Sequence, residues 1–224
     1  MHKDAFDDII QGKGQGIIIL LHGEPGVGKT LTAEATAEEM ERPLYTISAG
    51  ELGYSAGEVE ENLRTVLEIS TKWRAVLLID ECDIFLEQRT TSDIHRNKLV
   101  AVFLRLLEYF KGVMFLTTNR VSAFDSAFQS RIHLTINYPK LDVSSRKHVW
   151  RTFIPATPGQ QTNSHSPSQI SDADIDKLSS MDFNGREIKN IVKTARLLSN
   201  SKGVSLSMEQ INTVLRVKSR SNIE

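Results

Sequence analysis

Three short stretches of this chain combine residue types at spacings that can do chemistry. The first is Gly23-Glu24-Pro25-Gly26-Val27-Gly28-Lys29-Thr30, set directly after the apolar run Ile17-Ile18-Ile19-Leu20-Leu21 and directly before Leu31-Thr32-Ala33-Glu34-Ala35. The order strand, glycine loop, helix fits the phosphate-binding spacing G-x-x-x-x-G-K-[ST]. Glycines let such a loop curl so that successive backbone N–H groups point inward at an anion. A helix opening at Lys29 adds the positive end of its dipole to that cradle. Lys29 is then placed for the β- and γ-phosphates of a nucleotide and the Thr30 hydroxyl for Mg²⁺, with Gly23 through Leu31 forming the binding segment.

The second stretch, Val76-Leu77-Leu78-Ile79-Asp80-Glu81, is an apolar strand that ends in two carboxylates. In a parallel sheet the C-terminal ends of strands share one edge, so Asp80 and Glu81 belong beside the phosphate loop. There Asp80 suits the metal, through water, and Glu81 suits an attacking water that must be polarised. The third stretch, Thr117-Thr118-Asn119, ends the apolar run Val113 to Leu116. An amide at that edge can hydrogen-bond the same water or the γ-phosphate; alone, Asn119 would read as the start of a turn.

The elements that must hold these residues follow from the hydrophobic pattern. Ile17–Leu21, Val76–Ile79 and Val113–Leu116 are continuous aliphatic runs, as expected of strands buried on both faces of a parallel sheet. Leu44–Ile47 and Ile132–Ile136 alternate more and suit the outer strands. Between them lie helical stripes: Val59, Leu63, Val66 and Leu67 on one, and Leu99, Val100, Phe103, Leu106, Leu107 and Phe110 on another. Strands alternating with helices imply a three-layer α/β sandwich. After Tyr138-Pro139 the pattern becomes helical, with Val149, Trp150 and Phe153 on a helix that begins near Asp142. Asn184-Gly185-Arg186-Glu187 and Ser207-Met208-Glu209-Gln210 read as capping boxes that open two further helices, the first with Ile188, Ile191, Val192 and Ala195 inward. The expected division is an α/β domain over 1–139 and a helical domain over 140–224, with a flexible Pro/Gly/Ser/Thr/Gln-rich loop near 155–170.

Composition sets outer bounds. The 224 residues are 40% hydrophobic, enough for a sizeable core, and 27 Lys plus Arg against 28 Asp plus Glu leave no global polyanion footprint. The lone cysteine, Cys82, excludes an internal disulfide, suits a reducing compartment, and reads as a small core residue rather than a nucleophile. The start has no signal-peptide pattern, and no apolar run reaches bilayer-spanning length. The reading is a soluble intracellular chain with no membrane span and no visible targeting signal.

Taken together, these motifs resemble the AAA ATPases of the wider AAA+ group, P-loop NTPases, over nearly the whole chain. The likeness extends to the ATPase module of large fungal AAA proteins. Gly23–Thr30 resembles Walker A, Val76–Glu81 resembles Walker B with its glutamate, and Asn119 matches sensor 1. The segment from Thr117 through Phe124-Asp125-Ser126-Ala127-Phe128-Gln129-Ser130-Arg131 resembles the second region of homology. By that resemblance Arg131 is the arginine finger offered to a neighbouring subunit, projecting from the rim after a short helix, Ala123 to Gln129. Asn184-Gly185-Arg186 resembles sensor 2 of the lid, which makes Arg186 a γ-phosphate contact within its own subunit. The resemblance further implies a five-stranded parallel sheet in order 5-1-4-3-2, a small C-terminal helical lid, ATP and Mg²⁺, and a homo-oligomeric, usually hexameric, ring acting on a protein substrate. Where threading motors carry an aromatic–hydrophobic–glycine loop, this chain reads Gly53-Tyr54-Ser55-Ala56-Gly57, with Tyr54 one position early.

Two other function classes fit parts of the pattern. A nucleotide-gated scaffold would use the phosphate loop without needing Glu81, and steady-state turnover separates it from a hydrolase. A DNA-associated, clamp-loader-like ATPase fits Gln129-Ser130-Arg131, but its only basic support is Arg216, Lys218 and Arg220, which read as a solvated helix end, so nucleic acid is not the expected partner. A P-loop kinase would leave Glu81, Asn119 and Arg131 without a role. Lys29→Ala should abolish nucleotide binding, because the phosphates lose a point charge inside a backbone cradle. Fluorescent-nucleotide titration checks this, and unchanged affinity would refute the phosphate-loop reading.

Overall fold

The computed structural model describes residues 16–86, 93–120, 126–154 and 170–221. They divide into two compact units, one from Met1–Glu24 and Gly28–Pro139, the other from Pro25–Val27 and Lys140–Glu224. In the first unit, five strands, β1 (Ile17–Gly23), β2 (Leu44–Ser48), β3 (Val76–Asp80), β4 (Val113–Thr118) and β5 (Leu134–Tyr138), form one sheet in the order β2-β3-β4-β1-β5. Every pairing is parallel. This is the expected order read from the other edge, with the two more alternating strands on the outside.

The continuous apolar runs are explained by where their two faces go. Ile18, Leu20, Leu77, Ile79, Met114 and Leu116 point to one side. There they meet Val59, Leu63, Val66 and Leu67 of α2 (Ala56–Trp73) and Leu99, Val100, Phe103, Leu106 and Leu107 of α4 (Ile94–Leu107). The alternate residues Leu21, Val76, Leu78 and Phe115 point to the other side, against Ala33 and Ala37 of α1 (Lys29–Glu39). Successive strand residues face opposite ways, so a strand covered on both faces has no polar position to offer. Small alanines on α1 let that helix approach the sheet closely.

Two single-turn pieces escape sequence reading: a 3-10 turn at Ala49–Leu52 and α3 (Asp83–Leu86). One turn is too short to show a period. The helix before Arg131, expected over Ala123–Gln129, is observed as α5 (Ser126–Gln129), and residues 121–125 lie outside the described residues. So do the expected flexible loop over 155–169 and the polar start of the chain before Gly16.

The second unit is helical: α6 (Val143–Phe153), α7 (Asp172–Ser179), α8 (Gly185–Lys202) and α9 (Met208–Ser221). Its core gathers Ile175, Leu178, Ile188, Ile191, Val192, Ala195 and Ile211 around the fully buried Trp150. Asp142 caps α6 through the Ser145 N–H at 2.6 Å. Asn184 and Glu187 exchange the two bonds of the capping box that opens α8, both 2.9 Å long. Helix α7, with its own Ser171–Asp174 box, is too short for sequence periodicity to expose.

Phe103 is fully buried, stacked on Phe85 with ring centroids 4.3 Å apart, and tilted against Phe128. Phe103→Ala should cost about 3–5 kcal/mol, measured as a lowered urea midpoint, because the transfer and cavity terms add. A loss under about 1 kcal/mol would mean this side of the core can collapse around the gap.

Candidate functional site

The sheet order brings the three chemical stretches to one edge. Leu21 pairs with Thr117 and His22 with Thr118, while Ile79 pairs with Leu116. Gly23 and Asn119 therefore leave β1 and β4 at the same level, and Asp80 ends β3 on the same edge, beside Thr117, two residues short of Asn119. The phosphate loop begins at once after β1, where a Cβ on Gly23 (φ +150°) would fall 2.4 Å from the Tyr138 carbonyl oxygen on β5. It ends at Gly28, which caps α1 in the left-handed region (φ 107°, ψ 10°) that only glycine adopts without strain. Both glycines are demanded by the backbone path.

Lys29 is only 7% exposed. A buried ammonium must be met by oxygens, and it is: Nζ donates to the Gly23 carbonyl at 2.7 Å, the Glu24 carbonyl at 2.8 Å and Asn119 Oδ1 at 2.9 Å. Two residues singled out 90 positions apart are thus in direct contact. Thr30 Oγ1 lies 3.5 Å from Asp80 Oδ2. A hydroxyl beside a carboxylate at a phosphate loop is the hard-oxygen donor set that suits Mg²⁺, which completes its shell with phosphate oxygens and water. No group of three or more His, Cys, Asp or Glu gathers for a metal among the described residues, and a magnesium of this type needs none.

Asp80 and Glu81 are arranged by the two threonines of the third stretch, to which the sequence alone assigned no role. Thr117 donates its hydroxyl to Asp80 Oδ1, and its Oγ1 accepts the Glu81 N–H at 3.0 Å. Thr118 donates to Asp83 Oδ1, which also faces the Asn119 N–H at 3.3 Å. The available signal was two hydroxyls at the buried end of an apolar strand, since such groups must find partners. Cys82, next in line, is buried with its thiol pushed well above the ordinary range by desolvation, and its Sγ donates to the Ile79 carbonyl at 3.1 Å. It is a core residue.

The two arginines stand differently against expectation. Arg131 follows α5 as anticipated but does not project outward. Its Nη1 donates to the Ala127 carbonyl at 2.7 Å, and its Nη2 is ion-paired with Glu108. The physical reason is local: the last carbonyls of a short helix and a carboxylate just past α4 offer the guanidinium acceptors in its own subunit. Arg186 sits in the first turn of α8 and is exposed. Within the same unit, Gly185 donates its N–H to the Gly26 carbonyl at 2.8 Å, and a Cβ on Gly26 would come within 3.1 Å of Arg186 Cβ. Of the remaining loop residues, Pro25 and Val27 also belong to that unit, and Leu31 is exposed on α1. The proposed basic helix end is partly occupied: Lys218 pairs with Glu187 and lies 4.8 Å from the Phe183 ring centroid.

Glu81 itself adopts φ 57°, one of three non-glycine residues with positive φ among the described residues, with its side chain exposed. Such a conformation costs about 1–2 kcal/mol and persists where the surroundings enforce it. Glu81→Gly should therefore raise stability by about 1 kcal/mol while abolishing whatever the carboxylate does. Thermal melting alongside activity checks this, and a destabilised variant would show that the glutamate side chain, not the backbone, holds the turn.

Comparison with known proteins agrees with this geometry. Residues 19–140 match the model of the ATPase family associated with various cellular activities (AAA). The ATPase family gene 2 protein of Schizosaccharomyces pombe is 28% identical over 203 residues, 85% of this chain and 24% of that protein. A putative 26S proteasome regulatory subunit homolog of Methanothermobacter thermautotrophicus is 30% identical over 79% of this chain and 48% of its own length. The human ATP-dependent zinc metalloprotease YME1L1 is 29% identical over 80% of this chain and 23% of its own length. The chain thus spans between about a quarter and a half of these curated relatives. With a phosphate loop, a carboxylate-ended strand and an Asn-ended strand on one edge of a 2-3-4-1-5 parallel sheet, the chain belongs to the AAA family of ATPases.

Proposed function

We propose that this ATP-hydrolase module works with Mg²⁺ in a homo-oligomeric ring and couples turnover to the remodelling of a protein or protein complex. The observation that carries the reading is the direct bond from Lys29 to Asn119 above a loop whose Thr30 faces Asp80. These four residues bind or sense phosphate and metal in one place. In this reading Gly23–Leu31 wrap the phosphates, and Lys29 exchanges part of its carbonyl and amide contacts for β- and γ-phosphate oxygens. Thr30 and Asp80 would hold a magnesium ion, which when bound would neutralise charge on the phosphates. Glu81 polarises the attacking water, and Asn119, already tied to Lys29, orients that water or the γ-phosphate. Arg186 senses the γ-phosphate from the first turn of its helix, a place where a cation opposes the dipole and so calls for a functional cause.

Arg131 carries two readings, because its ion pair with Glu108 is an observation in its own right. As a finger it must leave Glu108 when a neighbouring nucleotide approaches; as a clamp it stays and merely ties α5 to α4. An arginine finger is worth about 10³–10⁵ in turnover, whereas a partly exposed ion pair contributes little. A scaffold with incidental turnover is disfavoured by the strained Glu81, which such a module has no need to maintain.

Glu81→Gln should bind ATP and hydrolyse it about 10²–10⁴-fold more slowly. Arg131→Ala should bind normally and hydrolyse poorly, with wild-type specific activity rising with protein concentration. Mixing the two variants should restore activity at interfaces that pair an intact Glu81 with an intact Arg131. Full turnover by Glu81→Gln refutes the hydrolytic reading, and inactive assembled mixtures reduce Arg131 to a clamp.

A further inference from the structure

We infer that Thr117 is a positioning residue for hydrolysis, acting through Asp80 and Glu81 rather than on nucleotide; the inference rests on the reading of Glu81 as the water-polarising carboxylate. The regular pairing of β3 with β4 runs from Leu77–Met114 to Ile79–Leu116. Beyond that level the Glu81 N–H turns to the Thr117 hydroxyl at 3.0 Å, and the Thr117 carbonyl accepts from Cys82, one residue further on, at 2.8 Å. One extra residue of β3 is thereby accommodated, and that residue is Glu81, in the left-handed region at φ 57°.

A threonine hydroxyl has one proton to give and lone pairs to accept with. Thr117 uses both functions on consecutive residues: it donates to Asp80 Oδ1 and accepts from Glu81 N–H. The first bond engages one oxygen of Asp80 while Oδ2 faces Thr30. The second supplies the partner that an N–H in a bulged, left-handed turn has lost from the strand ladder. Thr117 is itself almost fully buried on a rigid central strand, so both carboxylates take their aim from a fixed point. A residue without a hydroxyl at 117 would keep the strand and lose the aim. The side chain of Glu81 is exposed and makes no hydrogen bond or ion pair among the described residues, which leaves the backbone turn as what sets its direction.

The test compares Thr117→Val, nearly isosteric but unable to donate or accept, with Thr117→Ser, which keeps the hydroxyl. Thr117→Val should lower kcat about 10–100-fold, the size expected for a catalytic group displaced by a fraction of an ångström to an ångström, with nucleotide affinity unchanged within about threefold. Thr117→Ser should recover most of the turnover. In a Glu81→Gln background Thr117→Val should add almost nothing, because two residues that act as one unit are not additive. Thr117→Ala gives the same readout where circular dichroism shows that valine prevents folding. Wild-type kcat in Thr117→Val or Thr117→Ala overturns the inference. So do a parallel loss of affinity and turnover, failure of serine to rescue, or losses that multiply with Glu81→Gln. A wild-type protein that turns over no ATP refutes the hydrolytic reading instead, which keeps the two failures apart.

Discussion

A buried positive charge organises this molecule. The Lys29 ammonium is withdrawn from water, and a desolvated cation in a protein interior is tolerated only when oxygens replace its hydration. Two of the oxygens are backbone carbonyls of the loop that carries the lysine, which explains why Gly23 and Glu24 must turn their carbonyls inward. The third comes from Asn119, at the end of a strand encoded far along the chain. That requirement ties the site to topology. Asn119 reaches Lys29 because β4 lies beside β1, and β4 lies beside β1 because the chain crosses the sheet between β1 and β2 and fills inward from the far edge.

The second constraint is the exit from β3. A parallel ladder offers each backbone group a partner at even spacing, so a residue that must turn its side chain toward a reaction centre breaks the pattern. Here the break is at Glu81, and the cost is met by a hydroxyl on β4 that stands in for the missing ladder acceptor. Thr118 and Asp83 make a similar exchange one step further out. Strands β3 and β4 are thus joined by regular ladder bonds below, and at the site edge by hydroxyl–carboxylate bonds beside the single backbone bond from Cys82 to Thr117. The change from one kind of bond to the other occurs where polar function begins.

The cations away from that edge show the opposite situation. Arg131 and Lys218 each have a carboxylate within their own unit, Glu108 and Glu187. An arginine so held can serve a neighbour only by giving up acceptors it already has, so any role in trans becomes a competition between two sets of oxygens rather than a matter of exposure. Lys218, engaged with Glu187 and Phe183, contributes less to a polyanion-binding surface than its place in a basic run would indicate.

Much of this was legible in the residues. Aliphatic runs without alternation mark strands covered on both faces, the alternating runs mark edges, and the capping box at Asn184 announces the start of α8, because each is a local pattern with a local cause. The phosphate loop and the carboxylates after β3 were legible for the same reason: position relative to a strand end is written in the linear order. Helices α3 and α7 were not, being too short for a period to appear. Nor were the bonds from Thr117 to Asp80 and Glu81, the contact of Lys29 with Asn119, or the capture of Arg131 by Glu108. Those partners are 23 to 90 positions apart, and hydrogen-bond geometry changes over tenths of an ångström, so residue types could nominate the groups while only the packed sheet decided which of them meet.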